Sequence, residues 1–222
     1  AFGARARAMH DTLLPSFMDA QQPNPLSLTW RVATRGLSGL GQISPFGSLW
    51  HGLERYFRDP RLRQLFGRYA TYCGSSPLLA PATLMLVAHV EQQGVWSVPG
   101  GMHRLASTLC DWLAERGVRV RCGAPVQALL QNGGRIAGVR LNTGETLSAH
   151  SVVFNGDVSA LGRGLLGPAV QRAAPTVPAQ RRSLSALTWT AVLPRASADL
   201  LRHNVFFSDD SPQEFQQLTA QR

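Results

Sequence analysis

GVWSVPGGMHRLASTLCDWL, residues 94–113, sets a glycine pair, Gly100-Gly101, directly before an amphipathic run. Met102, Leu105, Leu109, Trp112 and Leu113 recur at the spacing of one helical face, so the run predicts a helix from Met102 to about Arg116, stopped by Gly117. The glycines leave two uses open. A tight turn needs nothing more, whereas a phosphate cradle needs a strand, then G-x-G-x-x-G, then a helix with free amides, and the third glycine is absent.

C-terminal to this helix the period changes from 3.6 to 2. Val118–Cys122, Pro125–Leu130, Arg135–Leu141, Glu145–Leu147 and Ser151–Phe154 read as strands, with Asn132-Gly133-Gly134 and Asn142-Thr143-Gly144 as turns between the middle three. The expectation is one helix, one strand, a small antiparallel meander and a closing buried strand. Further on, Leu184–Leu193 and Asn204–Phe207 are rich in β-formers and predict a strand pair.

N-terminal to it, the chain reads as helical. Phe2–Ala20 is helix-like until Pro23 and Pro25. Asp59-Pro60 is a helix start, because Asp accepts amide hydrogen bonds at the N-cap and Pro is tolerated at N1. Leu62, Leu65, Phe66 and Tyr69 then share a face, Gly74 can close the helix in a left-handed conformation, and Thr83–Gln93 is helical again. The class expected is mixed α+β, within the broader α/β type.

Composition removes several functions. The chain has 222 residues and a formal net charge of +9, yet all 22 basic residues are Arg and they are scattered among acids, which argues against a nucleic-acid surface. A basic face beside aromatics suits anionic lipid headgroups better. The longest apolar stretch, Leu78–Val90, holds Pro81 and His89 and falls short of the roughly 20 residues that span a bilayer. The opening AFGARARAMHD lacks the apolar core of a signal peptide and has no initiator Met, so the expectation is a cytoplasmic segment of something longer. Cys73, Cys110 and Cys122 show no CxxC pattern, and the six histidines show no ligand spacing such as H-x-x-x-H, so no metal site is expected. No G-x-S-x-G elbow exists. Asp157 and Asp209-Asp210 are candidate bases with nothing marking them as a tuned pair. Spacing alone names no reaction.

Three longer segments, in order, carry a resemblance: FRDPRLRQLFGRYATYCGSSPLLAPATLML (57–86), GVWSVPGGMHRLASTLCDWLAERGVRVRCGAPVQALL (94–130) and GRIAGVRLNTGETLSAHSVVFNGDVSAL (134–161). Together they resemble the flavin-dependent carotenoid desaturases of the phytoene desaturase type. The finer features RYATYCGSSP, RRSLSALTW and RHNVFFSD look most like the hydroxycarotenoid or methoxyneurosporene 3,4-desaturases. Such proteins open on a Rossmann strand-turn-helix with the glycine fingerprint and end on a second glycine-rich flavin segment. Neither is found here, so the chain resembles the central portion of a two-domain FAD-linked, amine-oxidase-like fold.

The resemblance implies a division into residues 1–97 and 161–222 as parts of a substrate and membrane-facing domain, with 98–160 as a lobe of the FAD-binding domain. It implies FAD as cofactor of the parent enzyme, not retained by the segment alone. Gly100, Gly101, Val126, Asn155 and Asp157 are the expected cofactor-side residues; Val126 would offer its backbone to the adenine edge. No catalytic residue carries over. The implied substrate is an acyclic hydroxy- or methoxy-carotenoid, an apolar polyene that needs a tunnel of Leu, Phe, Trp and Met. The implied location is peripheral, on the inner membrane, with Trp50–Tyr72, carrying Tyr56, Phe57 and Phe66 among five arginines, as the candidate surface; the same segment also reads as an amphipathic helix packed on its own domain. Two alternatives are a non-catalytic lipid-surface module and another flavin oxidoreductase acting on an apolar substrate.

Overall fold

A computed structural model describes residues 1–15, 19, 47–192, 200–201 and 203–220. In chain order the elements are α1 (Phe2–Leu13), α2 (Leu49–Glu54), α3 (Pro60–Gly67), α4 (Tyr69–Tyr72), a 3-10 turn (Ala82–Leu86), α5 (Val87–Gln93), α6 (Met102–Ala114), β1 (Val126–Asn132), β2 (Arg135–Leu141), β3 (Thr146–Ser148), α7 (Ser159–Gly162), 3-10 turns at Pro168–Ala173 and Ala179–Arg181, and α8 (Ser211–Ala220). The class is mixed α+β, and every strand ladder among the described residues is antiparallel. The chain divides into two compact units, Ala1–Val95 with Ser183–Arg222, and Trp96–Arg182. The positions of Pro23, Pro25 and Leu193 lie outside the described residues.

The first unit is built on helices whose small and large apolar residues interlock. Ala6 and Met9 of α1, Leu49 and Leu53 of α2, Tyr69 and Ala70 of α4, and Ala82 and Met85 of the 3-10 turn form its core. The approach of α2 to the 3-10 turn is close because residue 52 is glycine: a Cβ there would stand 2.9 Å from the Ala82 methyl. Main-chain bonds lock the contact, with Leu49 N donating to Ala80 O at 2.7 Å and Trp50 N to Pro77 O at 2.9 Å. Beside this core, Phe2 meets Tyr56, Phe57 and Phe66 at ring-centroid distances of 4.6–5.7 Å.

Helix α3 starts as the sequence predicts. The Asp59 carboxylate accepts from Arg61 N at 2.9 Å and Pro60 opens the helix. The Arg61 guanidinium also donates to Asp59 Oδ2 at 2.8 Å. These hydrogen bonds, first the one from the Arg61 side chain, hold the Asp59 carboxyl below its ordinary 3.8. A depressed folded-state pKa means that the cap's contribution is complete above the ordinary value and lost as pH falls through the lowered one. Amide exchange of the first turn of α3 is therefore expected to gain relative speed only in strong acid. Asp59→Asn, which keeps an acceptor but not the charge, should abolish that acid step while α3 survives at neutral pH. An unchanged acid profile in the variant would refute the assignment.

Leu62 and Leu65, expected on the buried face of α3, are 40% and 38% exposed. The helix ends at Gly67 and restarts at Tyr69, so the inward face is carried by Phe66, Tyr69 and Ala70 instead. Gly74 takes the left-handed conformation expected of it, φ +62°.

The second unit rests on the meander β1-β2-β3. Asn132 pairs with Arg135 across Gly133 and Gly134, whose φ values of +58° and +78° are those of a type I′ hairpin turn. Glycine 138 in β2 pairs with Leu130 and Ser148, next to a bulge that leaves Ala137 unpaired in the β1 ladder. The outer edge of β1 is covered, because Leu129 N donates to Leu166 O at 3.0 Å. Ala128, Leu141, Leu166, Val170 and Ala174 make the small core. This packing carries the second compact unit through to Arg182.

Four predicted strands lack a ladder. Val118–Cys122, Ser151–Phe154, the described part of 184–193, and Asn204–Phe207 belong to no strand among the described residues, and Cys122 lies in a turn. Alternation and β-propensity fit a chain to a pleated surface, but only a neighbouring strand makes it one.

Candidate functional site

At the start of α6 the backbone explains why two glycines are needed. Gly100 and Gly101 have φ +85° and +82°, values that L side chains rarely adopt, and Gly101 N donates to Val98 O at 2.9 Å to close the turn. Gly101 is the N-cap of a 13-residue helix, no side chain caps it, and nothing lies within 4 Å of where its Cβ would be. The two glycines therefore make a turn that starts α6, with Arg104 N donating to Gly101 O at 3.1 Å. At the other end Gly117, φ +76°, and Val118 close a Schellman motif on Ala114 and Leu113.

Helix α6 buries none of its residues. Met102, Leu105, Leu109 and Trp112, the stripe that predicted the helix, are 45–69% exposed. The adjoining stretches are bare as well: Val120 is 53% and Val153 is 92% exposed. Residues 118–122 are tied to the β2–β3 turn by a two-pronged pair, Arg121 to Glu145 at 2.9 and 2.8 Å.

Val126 opens β1, opposite Leu141 and beside the first ladder irregularity, with 40% of its surface exposed. Asn155 is exposed in the unladdered stretch after Phe154. Asp157 Oδ1 accepts from Ser159 N at 2.8 Å, which starts α7 and, ahead of other causes, holds the Asp157 carboxyl below its ordinary value. All five expected cofactor-side residues thus fall in the second unit. No hydrogen bond or ion pair among the described residues joins any one of them to another. A hollow of about 370 Å³ in this unit lies by the bulge, between Asn132, Ile136, Ala137, Ser148 and His150.

Of the two readings of Trp50–Tyr72, the packing of its aromatic residues follows the amphipathic one. Tyr56, Phe57 and Phe66 are half-buried against the core. Three of the five arginines are paired with acids: Arg61 with Asp59, Arg63 with Glu54 and Arg68 with Glu91. The segment is mainly an amphipathic packing unit, and Tyr72, 61% exposed, is the aromatic it leaves outside. No helix among the described residues is long and apolar enough to cross a membrane.

One grouping escapes any spacing rule. His10 and Asp11 of α1 come together with His89 of α5, their potential ligand atoms all within 4.8 Å of one another. The partners are far apart along the chain, so only the packing of α1 on α5 reveals them.

The description "Flavin containing amine oxidoreductase" belongs to a family model that matches residues 40–193, more than half of the chain. Among curated proteins, the chain is 49% identical over 221 residues to a hydroxyneurosporene desaturase of Rubrivivax gelatinosus, covering 100% of this chain and 42% of that protein. It is 49% identical over 168 residues to the hydroxyneurosporene desaturase of Cereibacter sphaeroides, covering 76% and 34%. A zeta-carotene-forming phytoene desaturase of Myxococcus xanthus is 30% identical over 211 residues, covering 95% and 40%. The chain thus spans from about a third to 42% of the length of these relatives. A match running from the helices of the first unit through the glycine turn, the meander and beyond decides the affiliation: the chain belongs to the flavin-containing amine oxidoreductase family, alongside the carotenoid desaturases.

Proposed function

We propose that the chain is part of an FAD-dependent carotenoid desaturase that acts on an acyclic hydroxy- or methoxy-carotenoid. The observation that carries this is the 49% identity, across 221 residues, to a protein named hydroxyneurosporene desaturase. The geometry lends support in the second unit. The bare stripe of α6 and the unladdered stretches on either side of the meander have the character of surfaces that pack on a further sheet, as a lobe of a flavin-binding domain would.

The residues present fit a bound dinucleotide in one respect that can be named. The uncapped start of α6, with glycine at 100 and 101, suits an anionic phosphate. Val126 would offer its backbone at the edge of β1, and 152–157 would approach from the other side of the lobe. FAD, when bound, supplies the two-electron acceptor that lets two hydrogens leave a saturated carbon pair as a double bond forms. The protein's part is to hold the polyene and exclude water. That task is assigned to residues 1–97 and to the part of 161–222 beyond Arg182, because 161–182 pack with the meander in the second unit. The unladdered stretches with Leu187, Trp189, Val205 and Phe206, each 61–84% exposed, would offer apolar surface to a polyene or to the membrane that delivers it.

The full-length protein, supplied with FAD and hydroxyneurosporene in lipid vesicles, is expected to lengthen the conjugated system and shift the carotenoid absorption to longer wavelength. A flavin-loaded protein that leaves the spectrum unchanged with this substrate would defeat the substrate assignment. The 222-residue chain alone is expected to purify without flavin, and a yellow preparation would show the cofactor site to be more complete than proposed.

A further inference from the structure

The contact between α1 and α5 holds three side chains that neither the core nor the redox reading uses. His10 is 7% exposed, and its Nδ1 lies 3.2 Å from Asp11 Oδ1. The His89 ring meets the His10 ring edge-on, with centroids 5.0 Å apart. One turn on, the Gln93 side-chain amide nitrogen sits 3.3 Å from His89 Nε2, to which it can donate, so an ion at His89 requires this amide to turn over or let go. We propose that His10, Asp11 and His89 form a binding site for a divalent transition metal ion, Zn²⁺ foremost, which clips the end of α1 to α5.

Donor chemistry selects the ion class. Two imidazoles and one carboxylate suit zinc and its first-row neighbours, whereas calcium and magnesium take oxygen sets. Three protein ligands leave a position for water, and Asp11, with 58% of its side chain exposed, opens that position to solvent. With Zn²⁺ bonds of about 2.0–2.1 Å, tetrahedral donors stand about 3.3 Å apart. The observed spread, within 4.8 Å, is wider than that, so the donors must draw together as the ion binds. The helices beneath are fixed, since Ala6 and Met9 of α1 and Ala88 of α5 are buried in the core. The competing partner of Asp11 is weak: Arg7 Nε stands 3.6 Å from Oδ2 in a pair that is mostly in water.

The test uses the full chain without a histidine tag, stripped by chelator and titrated with Co²⁺ and, against a chromophoric chelator, with Zn²⁺. The expected result is one ion per chain, visible Co²⁺ bands in the range of four- or five-coordinate sites, and a raised melting temperature. His89→Ala and Asp11→Asn, at half-buried and exposed positions, should each keep the helical circular dichroism and weaken binding by at least about tenfold. His51→Ala, at an exposed histidine whose partner is Glu54, should leave binding unchanged. No binding by the parent chain, or binding that both His89→Ala and Asp11→Asn leave intact, would overturn the proposal. None of these outcomes depends on flavin or carotenoid.

Discussion

Gly138→Ala is expected to detach β3 from the meander. The residue has φ +149°, and a Cβ built on it runs into the backbone carbonyl oxygen of Leu147 on the neighbouring strand. A side chain could swing aside; a ladder carbonyl cannot without giving up its register. A backbone region reserved for glycine costs about 1–3 kcal/mol, and forcing extra volume into a packed contact about 1–3 more, so a total of about 2–6 kcal/mol is expected. Hydrogen exchange reads the effect locally. The Ala149 amide, which donates to Ala137 O at 3.0 Å, should lose its protection, while the Leu129 amide, bonded to Leu166 O on the far side of β1, should keep most of its own. Gly133→Asn is the control, because that glycine, at φ +58°, has nothing within 4 Å of its absent Cβ and Asn tolerates the left-handed region. Equal losses in the two variants would mean that the close approach at 138 is not what holds β3.

The same glycine shows where a sequence can and cannot be read. Turns and caps are local, so Gly133-Gly134, Asp59-Pro60 and Gly117 declare themselves through residue type, and the structure uses each as expected. A glycine within a strand pattern says only that something comes close; that it is the Leu147 carbonyl is a fact of pairing. Partner-dependent features fail in the same way. The stretches at 118–122, 151–154 and 204–207 have the composition of strands, but a ladder needs a second chain segment that composition does not supply. Helix α6 is the converse case. Its stripe is helical, as the spacing predicts, while the burial that such a stripe usually implies is not found within Trp96–Arg182. The expected site residues inherit this split. Gly100 and Gly101 sit in a geometry that their type explains, whereas Asn155 and Asp157 are placed by a stretch whose partners the local pattern never specified. The His10–Asp11–His89 grouping lies wholly on the illegible side, because helix packing alone makes it.

Tyr69→Ala is expected to cost the first unit about 3–5 kcal/mol, and Tyr69→Phe only about 0.5–1.5 kcal/mol. The two numbers separate what the ring does from what the hydroxyl does. Tyr69 is 1% exposed and among the largest fully buried side chains, wedged between Phe66 and Tyr72 at centroid distances of 6.0 and 5.9 Å. Removing the ring leaves a cavity among residues held by α1, α2 and the 3-10 turn, which cannot all relax into it. The hydroxyl donates to Glu91 Oε2 at 2.8 Å, and burial, with Glu91 behind it, pushes its pKa well above the usual tyrosine value, so it stays a donor at any working pH. Losing it is cheaper, since Glu91 keeps Arg68 at 2.9 Å and Tyr72 at 3.3 Å. Urea denaturation followed by circular dichroism tests the ranking through the midpoints of the two variants. If Tyr69→Phe proved as damaging as Tyr69→Ala, the polar anchor at Glu91 rather than the ring would be holding α4 against α5.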